Sequence, residues 1–167
     1  MTGTIRTLCA DDADAYAALR RRALLDAPLA FGASPSDDLA ASSDAVREQL
    51  RHGPESVILG AFRDQLVGAV GVLRDRHLKA AHKVRVWGMY VVPQHRRRGI
   101  AAELLAAAIA HARSLPGVES VHLIVSSAAP GARRLYERAG FQVWGTEPDA
   151  LRHEGQSVVE HHMVLRL

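Results

Sequence analysis

The sequence predicts a mixed α/β fold in which one sheet carries helices on both faces. Runs rich in β-branched residues alternate with helical patterns along the chain. The clearest helical pattern begins at Gly99 and lies between two strand-like runs, "KVRVWGMYVV" and "VESVHLIV". The hydrophobic fraction of 48% and the charged fraction of 23% are those of an ordinary globular chain. Two strands joined by a crossover helix are expected to be parallel neighbours in the sheet.

The N-terminal third of the chain predicts one strand and two helices. Residues 4–8 alternate as a strand, and we expect Cys9 to lie in that strand as a small packed residue. Asp11 or Asp12 can then cap a helix. One face of this helix is apolar and carries Tyr16, Leu19, Ala23 and Leu24. A connection with prolines and glycine carries Phe31, and a second helix follows and ends near Gly53.

The central third predicts a hairpin, a strand and the longest helix. "SVILGAF" and "QLVGAVGVLRD" are strand-like runs separated by the polar pair Arg63-Asp64, which indicates a hairpin. "KVRVWGMYVV" is the next strand. From Gly99, apolar residues recur at every fourth position until Leu115-Pro116-Gly117 ends the pattern. The recurring residues are Ile100, Leu104, Ala108 and Ala112.

The C-terminal third completes a sheet of seven strands. "VESVHLIV" is a buried strand, "GARRLYERAG" a short helix with Gly140 at its end, and "FQVWGTE" and "SVVEHHMVLRL" are two closing strands. The order β-α-α-β-β-β-α-β-α-β-β is expected to form a single domain over residues 1–167. A ligand is expected at the carboxyl end of the central parallel pair.

Composition excludes several classes of protein. The net charge of +3 suits an anionic ligand without requiring nucleic acid. No apolar run is long enough for a membrane span, and the N-terminus lacks a signal-peptide core, so we expect a cytoplasmic protein with no membrane partner. A single cysteine allows no internal disulfide. We expect no metal, because "HEGQS" does not fit HExxH and the adjacent His161 and His162 would point to opposite faces of a strand.

The turn in "YVVPQHRRRGIAAELL" predicts an anion site at the start of the long helix. The first four amides of a helix have no internal partner, and its dipole is positive there. Gly99 and the small Ala101 and Ala102 leave room for a phosphate. Each of the arginines 96–98 destabilises the helix by roughly 0.3 to 1 kcal/mol, because its positive charge opposes the helix dipole. A bound polyanion would make the same charges stabilising. The alternative is a solvated basic turn. Neither GxxxxGK(S/T) nor GxGxxG is present, so the site belongs to another class.

Two blocks of sequence resemble the GNAT family of N-acetyltransferases. "VVPQHRRRGIAAELL" resembles the family's acetyl-CoA-binding signature, whose core is Gln/Arg-x-x-Gly-x-Gly/Ala. "ARRLYERAGF" resembles its second block, at a family-like spacing. The resemblance implies a central mixed, largely antiparallel twisted sheet of about seven strands, with helices on both faces and a splayed parallel strand pair. Gly88 is a plausible place for the bulge that splays the strand, or it makes room for a helix.

The resemblance also implies how acetyl-CoA binds. Its pyrophosphate would lie on the amides of residues 97–102, and its pantetheine arm would run between the two parallel strands. The Val91 amide could donate to the thioester carbonyl. The residues implied in coenzyme binding are Met89, Tyr90, Val91, Arg96, Arg97, Arg98, Gly99, Ile100, Ala101 and Ala102. Ala129 stands where many relatives have an asparagine.

The chemistry needs an acid and a base. A lysine-like amine is neutral only about once in two thousand molecules at pH 7, so a proton must be removed. Tyr136 occupies the position of the family's tyrosine acid, and the alternative is a packed aromatic. For the base, His122, Glu160 and a water chain remain open, because the expected strand positions carry no carboxylate.

The acceptor pocket is expected to be formed by residues 28–35, the strand face near Trp87, and the loop between the last two strands. Phe31 and Trp87 are candidate walls, and His122 is a further candidate pocket residue. The predicted function is acetyl-CoA-dependent N-acetyltransferase activity, with direct transfer to a primary amine of a small molecule or peptide. The resemblance leaves a homodimer open, since dimers are common in the family.

Two other functions are consistent with the sequence. One is an acyl-CoA-binding regulatory module of the same fold, with little or no turnover. The other is nucleic-acid binding through "HRRRG" and "GARRLYER". The interspersed acidic residues and an aromatic fraction of only 5% argue against nucleic acid as a partner.

Overall fold

The computed structural model describes residues 3–38 and 42–167. Its strands and helices follow the predicted order and confirm the mixed α/β class. The strands are β1 (Thr4–Thr7), β2 (Ser56–Arg63), β3 (Gln65–Arg74), β4 (Lys83–Val91), β5 (Ser120–Ser126), β6 (Gln142–His153) and β7 (Gln156–Arg166). The α-helices of the described residues are α1 (Ala13–Asp26), α2 (Ser43–Gln49), α3 (Ile100–Ser114) and α4 (Pro130–Arg138). None of the helices in these two stretches is long and apolar enough to cross a membrane.

The seven strands form one sheet in the order β1-β2-β3-β4-β5-β7-β6. Every neighbouring pair is antiparallel except β4 and β5, which are parallel and joined through α3. The parallel ladder begins at Lys83–Ser120 and ends at Arg85–His122. From residue 86 onward β4 no longer pairs with β5, although it stays paired with β3 as far as Val91. The two central strands therefore diverge, as predicted, and open a gap at their carboxyl ends.

A bulge in β4 accompanies the divergence. Tyr90 pairs with Ala69 and Trp87 with Gly71, so two residues of β4, Gly88 and Met89, stand against one residue of β3. Gly88 has a φ of 64°, which a side chain would make unfavourable. The glycine is thus the residue that permits the bulge, and the bulge turns β4 away from β5.

Helices cover both faces of the sheet. On one face, α3 buries Leu104 and Leu105 completely, and a Cβ built on Gly68 of β3 would lie 3.3 Å from Leu104 Cδ1. On the other face, α1 approaches β4, where the Tyr90 hydroxyl donates to Asp26 at 3.2 Å. Because both faces of the central strands are buried, β2 and β3 consist largely of apolar residues and glycine.

Two predictions about element boundaries were wrong. Cys9 is exposed and lies beyond β1, because the Asp12 carboxylate accepts from its amide at 2.8 Å and turns the chain into a 3-10 turn. β6 continues six residues past Glu147, because Pro148 lies on an edge strand and in an irregularity of the β6–β7 ladder between Glu147 and Leu151. The expected loop before β7 is only a tight turn at residues 154–155, both with positive φ.

Candidate functional site

The start of α3 offers unpaired backbone donors. Gly99 has a φ of 80° and provides no side-chain cap, and the first backbone bond of the helix runs from Glu103 N to Gly99 O at 3.0 Å. Within residues 3–38 and 42–167, the amides of residues 99–102 find no acceptor. A Cβ built on Gly99 would meet no atom closer than Glu103 Oε1 at 3.9 Å, so the space in front of these amides is open. Donors, dipole and space together fit a diphosphate.

The three signature arginines are placed differently. Arg96 turns away from the helix start: its Nε donates to Val91 O at 2.8 Å, and its guanidinium pairs with Asp26 at 2.5 Å. Arg97 and Arg98 are exposed and form no ion pair with any residue that the structure describes. Arg97 also has a φ of 60°, a conformation that costs a non-glycine residue about 1 kcal/mol and is found at functional sites. Free positive charge beside the helix start therefore comes from Arg97 and Arg98.

The gap between β4 and β5 is bordered by backbone. The Val92 amide donates to Val67 O of β3 at 2.9 Å. Successive amides of a strand point to opposite edges, so the Val91 amide points into the gap. Met89 lies in the bulge and is half-buried. The Tyr90 ring is buried and packs edge-to-face on Phe31, with ring centroids 6.5 Å apart. Of Tyr90, only the main chain is left to contact a ligand in the gap.

Tyr136 lies on α4, which follows the end of β5. Its side chain is 6% exposed and packs edge-to-face on Phe141, with ring centroids 6.0 Å apart. Burial raises the pKa of Tyr136 to about 12, so the hydroxyl is protonated at neutral pH. No residue in the described part of the chain hydrogen-bonds to that hydroxyl. Ala129 precedes the helix and, unlike an asparagine, provides no side-chain hydrogen bond there.

Phe31 and Trp87 pack on the α1 side of the sheet. The Trp87 ring fills the space above Gly71, where an added Cβ would lie 2.1 Å from Trp87 Cε2. Phe31 lies beneath the Arg20 guanidinium, whose carbon is 5.2 Å from the ring centroid. Arg20 pairs with Asp38 at 3.0 Å, while its Nη1 is buried and has no hydrogen-bond partner among the residues described. That nitrogen faces Gly88, at 3.6 Å from a Cβ built there.

A groove of about 650 Å³ opens farther along the same face of the sheet. His122 lines it, and Phe31 and Trp87 do not. The His122 ring lies 3.1 Å from Ser120 Oγ, and its pKa is lowered by burial first and by nearby cations, Lys83 foremost, second. The other candidate base, Glu160, lies outside this lining on β7; burial, and then the charge of Glu147, raise its pKa.

Most of the residues that line the groove were not predicted from the sequence. Arg85 and Trp144 both line it, yet they lie 59 positions apart in the chain and come together only through the pairing of β4, β5, β7 and β6. The sequence indicates that Arg85 and His122 lie on strands joined by one crossover helix. It does not indicate that the two residues pair with each other.

A sequence profile of the Acetyltransferase (GNAT) family matches residues 19–141. The chain belongs to the GNAT family. The matched range contains the start of α3, the gap beside β4 and Tyr136, so the features described above lie within the family's shared region.

Solved structures share the fold of this GNAT protein at low sequence identity. An acetyltransferase of the GNAT family from Streptococcus pneumoniae has a TM-score of 0.89 and 20% identity, with 99% of this chain and 100% of that chain covered. A GNAT superfamily phosphinothricin acetyltransferase from Sinorhizobium meliloti, in complex with acetyl-CoA, has a TM-score of 0.84 and 21% identity, with 100% and 89% covered. Arabidopsis thaliana NAA60, also in complex with acetyl-CoA, has a TM-score of 0.76 and 20% identity, with 99% of each chain covered.

Proposed function

We propose that this GNAT protein is an acetyl-CoA-dependent N-acetyltransferase that transfers the acetyl group directly to a primary amine of a small molecule or peptide. The observation that carries the proposal is the uncapped start of α3 beside the gap that opens after Arg85–His122. Acetyl-CoA supplies an activated acetyl group as a thioester. Overall, a nitrogen–carbon bond forms, the carbon–sulfur bond breaks, the amine loses a proton and CoA leaves as its thiol.

The chain's own residues have separable roles in this proposal. The amides of residues 99–102 bind the diphosphate, with added charge from Arg97 and Arg98. The Val91 amide, which points into the gap, donates to a carbonyl oxygen of acetyl-CoA. Arg96 has an indirect role. Its ion pair with Asp26 holds the β4–α3 turn to α1, so its charge is not directed at the diphosphate. Two relatives of this fold are complexes with acetyl-CoA, which supports the choice of coenzyme.

The raised pKa of Tyr136 limits what its hydroxyl can do. Full proton transfer from a group of pKa about 12 to a thiolate of pKa about 8.5 is uphill by about 5 kcal/mol. A hydrogen bond to a charged acceptor contributes about 1.5 to 3 kcal/mol without that transfer. We therefore assign Tyr136 the role of a hydrogen-bond donor to the leaving sulfur, with the proton passing only as the sulfur separates.

Two steps test the proposal. Thermal melting with acetyl-CoA and with CoA measures coenzyme binding, and a colorimetric thiol-release assay over amino acids, polyamines, aminoglycosides and peptides measures turnover. We expect both coenzyme forms to raise the melting temperature and at least one amine to release thiol. Stabilisation without release by any amine would instead support a regulatory module. An unchanged melting temperature with both coenzyme forms would refute the proposal.

A further inference from the structure

The groove on the α1 side of the sheet begins where the central strands separate. Arg85 and His122 form the last rung of the parallel ladder, and both line the groove. Ile124 lies two residues farther along β5, on the same face, and pairs with His162 of β7. The groove therefore extends from the apex of the gap across β5 to β7. It adjoins the closed end of the gap, on the side of the sheet opposite α3.

Positively charged residues outnumber carboxylates in the lining of this groove. Arg76, Lys83 and Arg85 line the groove, and none of them has a carboxylate within 4.0 Å in residues 3–38 and 42–167. Among the lining residues the one acid is Asp75, which is bound to the amide and ring of His77, both at 2.9 Å; these bonds foremost, and then the nearby charge of Lys83, lower its pKa.

The remaining charges at the groove are already paired. Arg74 pairs with Glu55 at 3.0 Å, and its Nε donates to a backbone carbonyl at 2.7 Å. His162 lies 3.3 Å from a carboxylate oxygen of Glu147. The excess charge is thus concentrated on the β4 side of the groove, next to the apex of the gap.

The placement of these cations favours an anionic occupant. Lys83 and Arg85 are two residues apart on one strand and share one face, so their side chains stand side by side and repel each other. Burial is the largest cause of the lowered pKa of His122, and Lys83 leads the cationic contributions, followed by Arg166, His82 and Arg85. An oxyanion between the two side chains would remove the repulsion and gain charge-assisted hydrogen bonds.

The far wall of the groove is apolar. Ile124 is 46% exposed and Trp144 is 62% exposed. The Trp144 ring packs on the His162 ring, with centroids 5.4 Å apart. A volume of about 650 Å³ is in the range of small-molecule sites, about 300 to 1,000 Å³. Charge at the apex and an apolar wall opposite suit a compact molecule with an acidic group and a hydrophobic part.

We propose that the acceptor is a small primary amine that also carries an oxyanion group, bound by Arg85 and Lys83, with its apolar part against Ile124 and Trp144. This inference rests on the proposed acetyltransferase function. Carboxylate and phosphonate groups share the required chemistry, and the comparison below distinguishes them.

The experiment compares matched acceptors in the thiol-release assay: an amino acid such as methionine or phenylalanine, its carboxamide, and the corresponding aminoalkylphosphonate. We expect the two acids to have KM values at least tenfold below that of the neutral amide. The lower KM of the two identifies the preferred oxyanion. Arg85→Gln should raise the KM for the acid tenfold to a hundredfold and leave the KM for the amide unchanged. Arg85→Glu should reverse the preference.

Controls separate this inference from the function on which it rests. Arg113→Gln removes one positive charge from the exposed end of α3, on the opposite face, and should leave all KM values unchanged. Titration calorimetry measures the affinity of the protein for the N-acetylated acid and for its amide without turnover. Arg85→Gln should weaken binding of the acid and leave binding of the amide unchanged. Turnover with equal KM for acid and amide, or an Arg85→Gln variant that keeps the preference, would overturn the inference alone. No coenzyme-dependent stabilisation and no thiol release would overturn both.

Discussion

A carboxylate placed at the start of α3 should separate helix stability from coenzyme binding. Ala102 is exposed and is the third residue of the helix, among the unpaired amides. Ala102→Glu should stabilise the free protein by about 0.3 to 1 kcal/mol, because a negative charge at the first turn complements the dipole. The same charge should repel a diphosphate. Two charges about 6 Å apart at an effective dielectric constant of about 20 repel by about 2.8 kcal/mol, roughly a hundredfold in Kd.

The two effects have opposite signs in one thermal-melting assay. At a coenzyme concentration of about 100 times the wild-type Kd, binding stabilises the protein by about 2.7 kcal/mol, and a hundredfold weaker Kd reduces this to about 0.4 kcal/mol. For 167 residues, those values correspond to melting shifts of roughly 5 to 11 °C and roughly 1 to 2 °C. Ala106→Glu adds the same charge on an exposed position one turn later and should keep most of the wild-type shift. Equal coenzyme shifts in the two variants would refute the cradle at residues 99–102.

Three further predictions concern single side chains. Tyr136→Phe should lower kcat about tenfold to 150-fold through the lost hydrogen bond, with the coenzyme melting shift unchanged, and wild-type kcat would remove its assigned role. The Arg6 guanidinium holds the pKa of Asp12 at about 2. Because the Arg6 side chain is 44% exposed and solvent screens the pair, Asp12→Asn should cost about 1 kcal/mol in urea unfolding at pH 7. That difference should disappear as pH falls from about 4 towards 2, and a pH-independent difference would contradict it. Because the pKa of His122 is lowered, unfolding is favoured as pH drops below about 6.5, and His122→Gln should reduce the loss of melting temperature between pH 7.5 and 5. An identical loss in both proteins would argue against it.

Features that depend on local sequence were predictable. The four-residue period that starts at Ile100 places Leu104, Ala108 and Ala112 in the core, and all are buried. The divergence of β4 and β5 was expected from the family resemblance, and of the two roles considered for Gly88 the structure shows the bulge, at a φ of 64°. The uncapped start of α3, where we propose that the coenzyme binds, follows from a local signal, because it is a property of consecutive residues.

Features that depend on pairing register were not predictable. The end of β6 depends on its pairing with β7 at the sheet edge, where the ladder skips Pro148 and resumes at Leu151. The groove forms only because Arg85 pairs with His122 and Ile124 pairs with His162. A register shift of one residue would turn these side chains to the other face of the sheet. The role of Arg96 depends on Asp26, seventy positions earlier, which no motif indicates.

Asp26 joins the β4–α3 turn and strand β4 to the end of α1 through one carboxylate. Asp26 ends α1, just before the connection that carries Phe31, and it accepts both from Arg96 of the β4–α3 turn and from the Tyr90 hydroxyl. A shift of the turn on coenzyme entry must therefore either carry the end of α1 with it or break a 2.5 Å ion pair. Asp26 would then couple coenzyme entry to the position of the end of α1 without touching the coenzyme itself.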